Sequence, residues 1–367
     1  MHPCATRGDR MKRRLRVCAL LSALLLTAGC TRAAATETAT PVLTVMTHDS
    51  FSVSETVVKT FEEEYGAKLV FLKSGDTGAA LNRAILTRSH PEADVFYGID
   101  NTYLSRALQE QIFVPYTPTA LAQLPGEFKS GLSGMVTPID FGDVCINYDK
   151  AWFIERGLAL PATLADLAKP AYKGEAGNGL LVVENPATSS PGLAFLLVTI
   201  AEYGETGYLD YWRSLKQNGV VVVNDWETAY YTNFSASSGR GLQPMVVSYA
   251  TSPAAEVIYA SEPLNEAPTA SITTANTCFR QIEYAGILKG TSQLELAQRF
   301  IDFMLSPVFQ EDLPLQMFVF PVNPAATLPD DFLQYAAFAQ EPARIDPVLI
   351  SKNRDKWVTE WTRVMLP

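Results

Sequence analysis

Residues 42–100 read VLTVMTHDSFSVSETVVKTFEEEYGAKLVFLKSGDTGAALNRAILTRSHPEADVFYGID, and this stretch predicts the class of fold. Three short apolar runs have the length of strands, at residues 42–46, 67–73 and 93–98. Two segments with apolar residues at helical spacing separate them, at residues 54–65 and 79–88. An alternation of strand, helix, strand, helix and strand is typical of a parallel sheet covered by helices. The stretch therefore predicts an α/β protein.

Polar residues follow each of these three strands. His48 comes after the first strand, Asp76 lies in a Gly-rich turn after the second, and Asp100 follows the third. In parallel sheets, ligands bind beyond the carboxyl ends of the strands. Each of these residues taken alone is equally well explained as a solvated loop residue or a helix cap. Three polar strand ends that converge on one edge predict a ligand site there.

A second set of alternating strands and helices occupies the middle of the chain. A strand predicted over residues 180–183 leads through ENPATSSPG, residues 184–192, into an apolar helix over residues 193–203. Ser189 and Ser190 then stand at a helix N-terminus, where free N–H groups and the helix dipole favour an anion. Capping of the helix would explain one of the two serines. The pair predicts a place for a hydroxyl or phosphate group of a ligand.

Aromatic residues cluster in NDWETAYYTNFSASSGRGLQPMVVSYATSP, residues 224–253. Trp226 and Tyr249 lie where a predicted element meets a loop, and Tyr230 lies between them in a segment that looks helical. Aromatic rings at the ends of elements can stack on a ligand or present their faces to a cation. Packing in the core explains any one of them equally well. Together with the neighbouring acids, the cluster predicts an aromatic wall for a ligand.

The N-terminus has the features of a secretion signal. Six basic residues precede a short apolar run, residues 17–28, which is too short to span a bilayer comfortably. The run ends at Leu26-Thr27-Ala28-Gly29-Cys30, which resembles a lipobox. We therefore expect residues 1–29 to be a lipoprotein signal peptide, Cys30 to carry the lipid, and residues 30–40 to form a flexible tether. The mature protein would sit outside the cytoplasm, anchored to the membrane, and Met11 is an alternative start.

The rest of the chain is acidic and poor in metal ligands. Its 367 residues, 47% hydrophobic and 19% charged, indicate a globular protein of two domains. Without residues 1–29 the chain keeps 23 basic and 38 acidic residues, a net charge near −15, which argues against nucleic acid as a partner. The two thiols and two histidines that remain beside Cys30 argue against a structural zinc or haem site. The sequence contains neither a G-x-S-x-G nor an HExxH motif, so neither of these enzyme signatures is present.

Several longer stretches carry a family resemblance. They are VLTVMTHDSF from Val42, ALNRAILTRSHPEADVFYGIDNTYL from Ala80, ATSSPGLAFLL from Ala187, VSYATSPA from Val247, and LAQRFIDFMLSP with MFVFPVN near Phe318. Together they resemble the thiamine-binding proteins of bacterial ABC importers, a branch of the type II periplasmic-binding-protein family. The resemblance covers nearly all of residues 41–365.

The resemblance implies a two-lobed type II periplasmic-binding-protein fold. Each lobe would be a mixed sheet flanked by helices, and the ligand would lie in the cleft between the lobes. Lobe 1 would comprise residues 41–140 with residues 281–320 returning to it. Lobe 2 would comprise residues 141–280 with residues 321–367 packing on it. Two crossing strands would join the lobes.

The resemblance also implies a ligand and partners. The ligand would be thiamine, thiamine monophosphate or thiamine diphosphate, delivered by a monomeric binding protein to an ABC permease and its ATPase, with no cofactor and no metal. Trp226, Tyr230 and Tyr249 would stack on the cationic thiazolium ring, and Asp76 and Asp100 would accept from the 4-amino group. The family pattern places Tyr where this chain has His48 and Trp where it has Phe318, so we expect these two flat rings to stack as well. After the SYATSP turn, the family pattern has an aromatic residue where this chain has Ala255.

The crossing strands of the family also imply a disulfide between Cys145 and Cys278. Cys145 falls near the first crossing and Cys278 near the second, and these are the two thiols left once Cys30 carries lipid. An extracytoplasmic compartment permits such a bond. Two buried free thiols are the alternative.

Three other functions stay open at this point. A ferric-ion binder of the same fold would use the Tyr230-Tyr231 pair, although this pair precedes the 244–249 strand and looks helical. A protein that binds a small polyamine would have the same fold. A secreted enzyme is the weakest of the three, because no nucleophile–His pair stands out.

Overall fold

The computed structural model describes residues 40–129, 134–174, 178–238 and 241–366. The predicted signal peptide, the lipid site at Cys30 and residues 30–39 of the predicted tether lie outside these ranges. Within the described ranges, no helix combines the length and the apolar character needed to cross a bilayer.

The first part of the chain has the predicted alternation of strands and helices. Its elements are β1 (Val42–Thr47), α1 (Glu55–Tyr65), β2 (Lys68–Lys73), α2 (Thr77–Leu86) and β3 (Val95–Asp100). The three strands are parallel, with β1 between β2 and β3. Every residue of β3 is buried, as expected for a strand covered on both faces.

Side-chain caps determine where the first two helices begin. Ser54 caps α1 by accepting a hydrogen bond from the backbone N–H of Val57. Asp76 caps α2 by accepting from the N–H of Thr77 at 2.7 Å, so this helix begins two residues before the predicted start. Gly66 ends α1 in the left-handed conformation, with a φ of 61° that favours glycine.

The remaining elements follow in three groups. The first group is α3 (Leu104–Gln109), β4 (Phe113–Val114), β5 (Thr137–Asp149), α4 (Lys150–Arg156) and α5 (Leu164–Leu167), with 3-10 turns at Thr119–Gln123, Gly126–Phe128 and Pro170–Tyr172. The second is β6 (Leu181–Glu184), α6 (Ser190–Gln217), β7 (Val221–Val223), a π-helical turn at Thr228–Asn233, α7 (Ser235–Ser238), β8 (Met245–Tyr249), α8 (Ser252–Ile258) and β9 (Thr269–Ile272). The third is β10 (Phe279–Leu288), α9 (Leu294–Met304), α10 (Pro307–Gln310), α11 (Leu313–Gln316), β11 (Phe320–Pro321), α12 (Asp330–Tyr335) and α13 (Pro347–Met365).

The described strands are hydrogen-bonded in the order β2-β1-β3-β10-β5-β8-β6-β7, with β4 beside β10 and β9 and β11 beside β5. The two long strands β5 and β10 are antiparallel neighbours, paired from Val144↔Phe279 to Thr137↔Ala285. Strand β10 also pairs with β3, whereas the other end of β5 pairs with β8. These two strands therefore join the β1–β3 half of the molecule to the β6–β8 half, as the crossing strands of the family would.

Two hydrophobic clusters lie against the sheet. One lies beside α1 and α9, where Phe61 meets Phe300 edge to face with ring centroids 5.2 Å apart. The other surrounds α6 and α13, where Trp212 meets Trp361 edge to face at 5.4 Å. Full burial of one large apolar side chain contributes about 1.5–3 kcal/mol to the free energy of unfolding. These clusters hold the helices in place against the sheet that carries the site described below.

Cys145 and Cys278 form a disulfide, with their Cα atoms 4.4 Å apart. The bond joins β5 to the residue that precedes β10, so it lies along the two crossing strands. The predicted pairing is confirmed, and the alternative of two free thiols is wrong.

Candidate functional site

A cavity of about 200 Å³ collects most of the predicted ligand residues. Six of the nine line it: His48, Asp76, Trp226, Tyr230, Tyr249 and Phe318. They come from the ends of β1, β8 and α11, from the cap of α2 and from the turn after β7. The cavity therefore draws on both halves of the sheet and lies at the strand ends where a site was expected.

One wall of the cavity is aromatic. The Trp226 and Tyr230 rings are stacked, with centroids 5.1 Å apart and an interplanar angle of 19°. The π-helical turn at Thr228–Asn233 follows Trp226 and includes Tyr230, and such turns occur often at functional sites. Trp226 Nε1 donates to Ser248 Oγ at 2.9 Å, which fixes the orientation of the indole. Tyr249 meets Trp226 edge to face at 6.4 Å. The wall can stack on a flat ligand or face a cation.

Glycine makes room for the rings at two positions. A Cβ atom at Gly142 would lie 3.2 Å from Cδ1 of Tyr249. At Gly98 a Cβ atom would lie 2.4 Å from Cδ2 of His48, and the φ of 95° there also favours glycine. The rings of Tyr249 and His48 therefore fit where they lie because the residue facing each of them is a glycine.

Asp76 connects the helix cap to the aromatic wall. Its Oδ1 accepts from the N–H of Thr77, and its Oδ2 accepts from the N–H of Trp226 at 3.3 Å. Burial raises the pKa of Asp76 to about 6, and the negative charge of Asp225 adds to the rise, whereas Ser189 and the two backbone N–H groups oppose it. The carboxyl group can thus accept from a ligand donor while it holds Trp226 in place.

His48 is a neutral member of the cavity lining. Burial lowers its pKa to about 4, because the imidazolium would be poorly solvated, and the positive charge of Lys73 adds to the effect. Its Nδ1 lies 3.3 Å from Ser50 Oγ, and its Nε2 lies 3.6 Å from Oε1 of Glu283. A neutral imidazole presents a flat ring with no charge to repel a cation.

Glu283 belongs to a buried acidic group that the sequence analysis missed. Tyr97 donates its hydroxyl to Oδ2 of Asp140 at 2.6 Å and lies 3.2 Å from Oε2 of Glu283. Burial raises the pKa of Glu283 well above its usual range, and the neighbouring Asp140 raises it further. Burial also raises the pKa of Asp140 to about 6. A signal was available, since glutamate interrupts the otherwise apolar run IEYAGIL, residues 282–288.

Acids outnumber bases in the cavity lining. The acidic side chains are Asp49, Asp76, Glu227 and Glu283, and the basic ones are Lys73 and His48. With His48 neutral, this set favours a ligand that carries positive charge. In the part of the chain that the structure describes, no group of His, Cys, Asp and Glu is arranged to hold a metal ion.

Comparison with known proteins places this geometry in a family. A family model for bacterial extracellular solute-binding proteins matches residues 90–340. The chain belongs to this family. The thiamine-binding periplasmic protein of Salmonella typhimurium is 30% identical to this solute-binding protein over 332 residues, which cover 89% of this chain and 94% of that protein.

Solved structures give the same result for the fold. A structure titled periplasmic thiamin binding protein superposes with a TM-score of 0.77 at 28% identity, covering 89% of this chain and 97% of that chain. Iron-bound HitA from Pseudomonas aeruginosa superposes with a TM-score of 0.72 at 19% identity, covering 89% of this chain and all 100% of that chain, and this likeness concerns the fold alone. The predicted two-lobed α/β periplasmic-binding-protein fold and the predicted family resemblance are confirmed.

Three predicted site residues of the solute-binding protein lie outside the cavity lining. Oδ1 of Asp100 accepts from the N–H of Thr102 at 2.6 Å and from its hydroxyl, so this carboxyl group is engaged in the turn that follows β3. Ser189 and Ser190 are buried at the start of α6. Burial raises the pKa of both Asp76 and Asp100, and Ser189 opposes the rise at Asp76 as Ser190 does at Asp100. These three residues lie behind the wall that Asp76 presents to the cavity.

Two further lining residues, Tyr231 and Ala255, were not among the nine predicted ligand residues. Tyr231, with 57% of its surface exposed, meets Trp226 edge to face at 5.4 Å, and Ala255 also lines the cavity. Phe318 adopts a left-handed φ of 54° and meets Tyr259 edge to face at 5.3 Å. The ring of Tyr231 is therefore available on the side of the cavity where Ala255 replaces an aromatic of the family pattern.

Proposed function

We propose that this solute-binding protein captures thiamine outside the cytoplasm and delivers it to an ABC import permease. The observation that carries the proposal is the stacked pair of Trp226 and Tyr230 held directly against Asp76 in one cavity. Thiamine combines a flat cationic ring with an amino group that donates hydrogen bonds, so it needs both an aromatic face and a carboxylate acceptor. The relatives named for thiamine binding support the same ligand.

We assign roles within the site as follows. The aromatic wall of Trp226, Tyr230 and Tyr249 would take the thiazolium ring, with cation–π contact of about 1–2 kcal/mol per ring when water is excluded. Asp76 would accept from the 4-amino group. His48 and Phe318 would contact the remaining flat surface of the ligand.

The three residues behind the wall receive indirect roles in this proposal. Asp100 would keep the end of β3 in place through its contacts with Thr102. Ser189 and Ser190 would position Asp76 and the first turn of α6. A hydroxyl or phosphate group of the ligand would reach these serines only if the cleft opens further.

The wider assignment follows the family. We propose a monomeric, non-enzymatic binding protein, held to the membrane by a lipid on Cys30, with a permease and its ATPase as partners. Residues 41–140 and 281–320 would form lobe 1, and residues 141–280 and 321–367 would form lobe 2. The pairing of β5 with β10 supports a hinge at this boundary.

A ferric-ion binder fits the site less well. The hydroxyl of Tyr230 donates to Oε1 of Glu256 at 2.7 Å, and its ring is stacked on Trp226. The ring of Tyr231 is turned by 85° relative to that of Tyr230. The hydroxyl of Tyr230 is therefore already bonded to Glu256 and its ring is stacked in the aromatic wall, which leaves the pair poorly placed to bind iron.

Titration calorimetry on protein freed of ligand by unfolding and refolding tests the proposal. We expect saturable binding of thiamine with one site per chain, and much weaker binding of spermidine and ferric citrate. Mass spectrometry of the ligand that co-purifies should give the mass of thiamine or one of its phosphates. Tight binding of spermidine, or a colour that develops with ferric ion, together with no heat from thiamine would overturn it.

A further inference from the structure

Glu283 is a buried carboxyl group of the cavity wall, and among the described residues it contacts no lysine or arginine. It is 5% exposed and lines the cavity. The basic side chain that pairs with it in the described structure is His48, at 3.6 Å, and burial lowers the pKa of His48 to about 4. At neutral pH the imidazole is therefore uncharged, and the pair carries no compensating positive charge.

Burial and the neighbouring acids favour the protonated form of Glu283, whereas the hydrogen bond from Tyr97 opposes it. His48 faces it from the loop after β1, and Tyr97 and Asp100 face it from β3. Asp140 is its register partner on β5, and Tyr249 interacts with it from β8. Two of these neighbours are acids and the other three are neutral, so burial and Asp140 raise the pKa of Glu283 well above its usual range.

A ligand cation in the cavity would change this balance. A positive charge within about 4–6 Å of a carboxyl group favours the ionised form and lowers its pKa. Glu283 is the lining acid that also lies on a crossing strand, opposite Asp140, whereas Asp76 accepts from the N–H of Trp226. Glu283 would therefore add a second carboxyl group to the site beside Asp76.

We propose that Glu283 is a specificity residue that selects a permanently cationic ligand over a neutral one and releases its proton to solvent when the cation binds. The proton leaves the Glu283 carboxyl for bulk buffer, and the resulting carboxylate balances the charge of the ligand. Release of the ligand reverses the exchange. This inference rests on the proposed function, since thiamine supplies the permanent charge through its thiazolium ring.

Calorimetry at pH 8 in phosphate and in Tris measures the proton release, because the two buffers have different heats of ionisation. Asp76, with a pKa of about 6, is already ionised at this pH and contributes little. We expect thiamine binding to release protons, seen as a difference in binding heat between the two buffers. The neutral thiophene isostere of thiamine, which lacks the charged ring nitrogen, should release none and bind more weakly.

Glu283→Gln keeps the shape and the neutral state of the protonated side chain. We expect this variant to bind thiamine roughly tenfold or more weakly, with no proton release and with the affinity for the isostere held within about twofold. Glu360→Gln is the matched control, because Glu360 also accepts from a tyrosine, Tyr208, at 2.9 Å but lies on α13 outside the cavity lining. It should behave as the wild type.

The outcomes separate the inference from the proposed function. Thiamine binding by the wild type without proton release, or equal losses of thiamine and isostere affinity in the Gln variant, would overturn only the inference. No binding of thiamine by the wild type would overturn the proposed function, and the inference with it. The comparison of thiamine with its isostere in the wild type decides the matter even if the Gln variant does not fold.

Discussion

The backbone N–H of Trp226 donates to Oδ2 of Asp76 at 3.3 Å, across 150 residues of sequence. The indole that forms the aromatic wall and the carboxyl group that caps α2 therefore hold each other at the cavity. One carboxyl group therefore caps α2, holds Trp226 and faces the ligand. A substitution that keeps the cap but removes the negative charge should change ligand affinity more than it changes stability.

Asp76→Asn should weaken thiamine binding by roughly ten- to a hundredfold, as expected for loss of a charge-assisted hydrogen bond. It should leave the melting temperature unchanged or slightly higher, because asparagine also caps helices and the buried carboxylate carries an electrostatic cost at pH 7. Calorimetry beside a melting curve measures both. Asp346→Asn is the control, since Asp346 caps α13 by accepting from the N–H of Val348 at 2.8 Å and lies outside the cavity lining. Equal affinity in wild type and Asp76→Asn would remove Asp76 from the site.

Trp226→Ala should weaken thiamine binding by about 2 kcal/mol or more, because the stacked face and the orientation of Tyr230 are both lost. Trp226→Phe should keep part of the affinity, since it retains a ring but loses the bond from Nε1 to Ser248. Trp152→Ala is the control, because Trp152 is also half-buried but lies on α4 beneath Arg156, outside the cavity lining. If both Trp→Ala variants lose affinity equally, or if Trp226→Ala unfolds, Trp226 would be ordinary packing.

The sequence was sufficient for the features of the fold that depend on local pattern. The apolar runs and helical spacing of residues 42–100 predicted β1, β2 and β3 with the two helices between them. The start of α2 was misplaced because Asp76 was assigned to a turn, whereas its carboxyl group caps the helix two residues earlier. The pairing of Cys145 with Cys278 came from the family resemblance, since 133 residues separate the two cysteines.

The site was less accessible to sequence reasoning for a physical reason. Position at a strand end fixes the edge of the sheet that a residue occupies but not the direction of its side chain. Asp76 therefore reaches the cavity, whereas Asp100 turns back to Thr102. Glu283 was missed because its place in the wall depends on the pairing of β10 with both β3 and β5, which no local pattern encodes.

The buried neutral His48 should make the protein less stable in mild acid. Its folded pKa of about 4 lies below the ordinary 6.5, so the unfolded chain binds a proton in this window and the folded chain does not. The depressed pKa of His48 therefore contributes on the order of 3 kcal/mol to the free energy of unfolding. This contribution is present above pH 6.5 and is lost as the pH falls toward 4. Asp76 acts in the opposite sense, because its raised pKa lets the folded state bind the extra proton between about pH 4 and 6.

Urea unfolding at pH 7 and pH 4.5 tests the contribution of His48. We expect His48→Gln to lose less stability between the two values than the wild type does. His90→Gln serves as the control, since His90 is exposed on the surface. The same pH dependence in wild type and His48→Gln would mean that other groups dominate acid unfolding.

Cys30→Ser should release the protein from the membrane fraction into the soluble fraction. The expectation rests on the lipobox Leu26-Thr27-Ala28-Gly29-Cys30, because lipid is attached to the cysteine thiol. Fractionation of expressing cells and detection with an antibody measure the outcome. Thr31→Ser, a conservative change beside the same site, should stay with the membrane. Retention of the Cys30→Ser protein there would contradict the lipid anchor.

Loss of the disulfide should destabilise the protein much more than it weakens thiamine binding. The bond closes a loop over a sequence separation of 133 residues. For a loop of this size, the chain-entropy model assigns a contribution of about 4–5 kcal/mol, less any strain. The bond joins β5 to the start of β10 along the crossing strands and is absent from the cavity lining, so it leaves the ligand contacts in place. The double variant Cys145→Ser with Cys278→Ser should therefore unfold at lower urea concentration and still bind thiamine.

Wild-type protein treated with a reductant should match the double variant, and the double variant itself should not respond to the reductant. Equal urea midpoints for oxidised wild type and the double variant would show that the bond contributes nothing to stability.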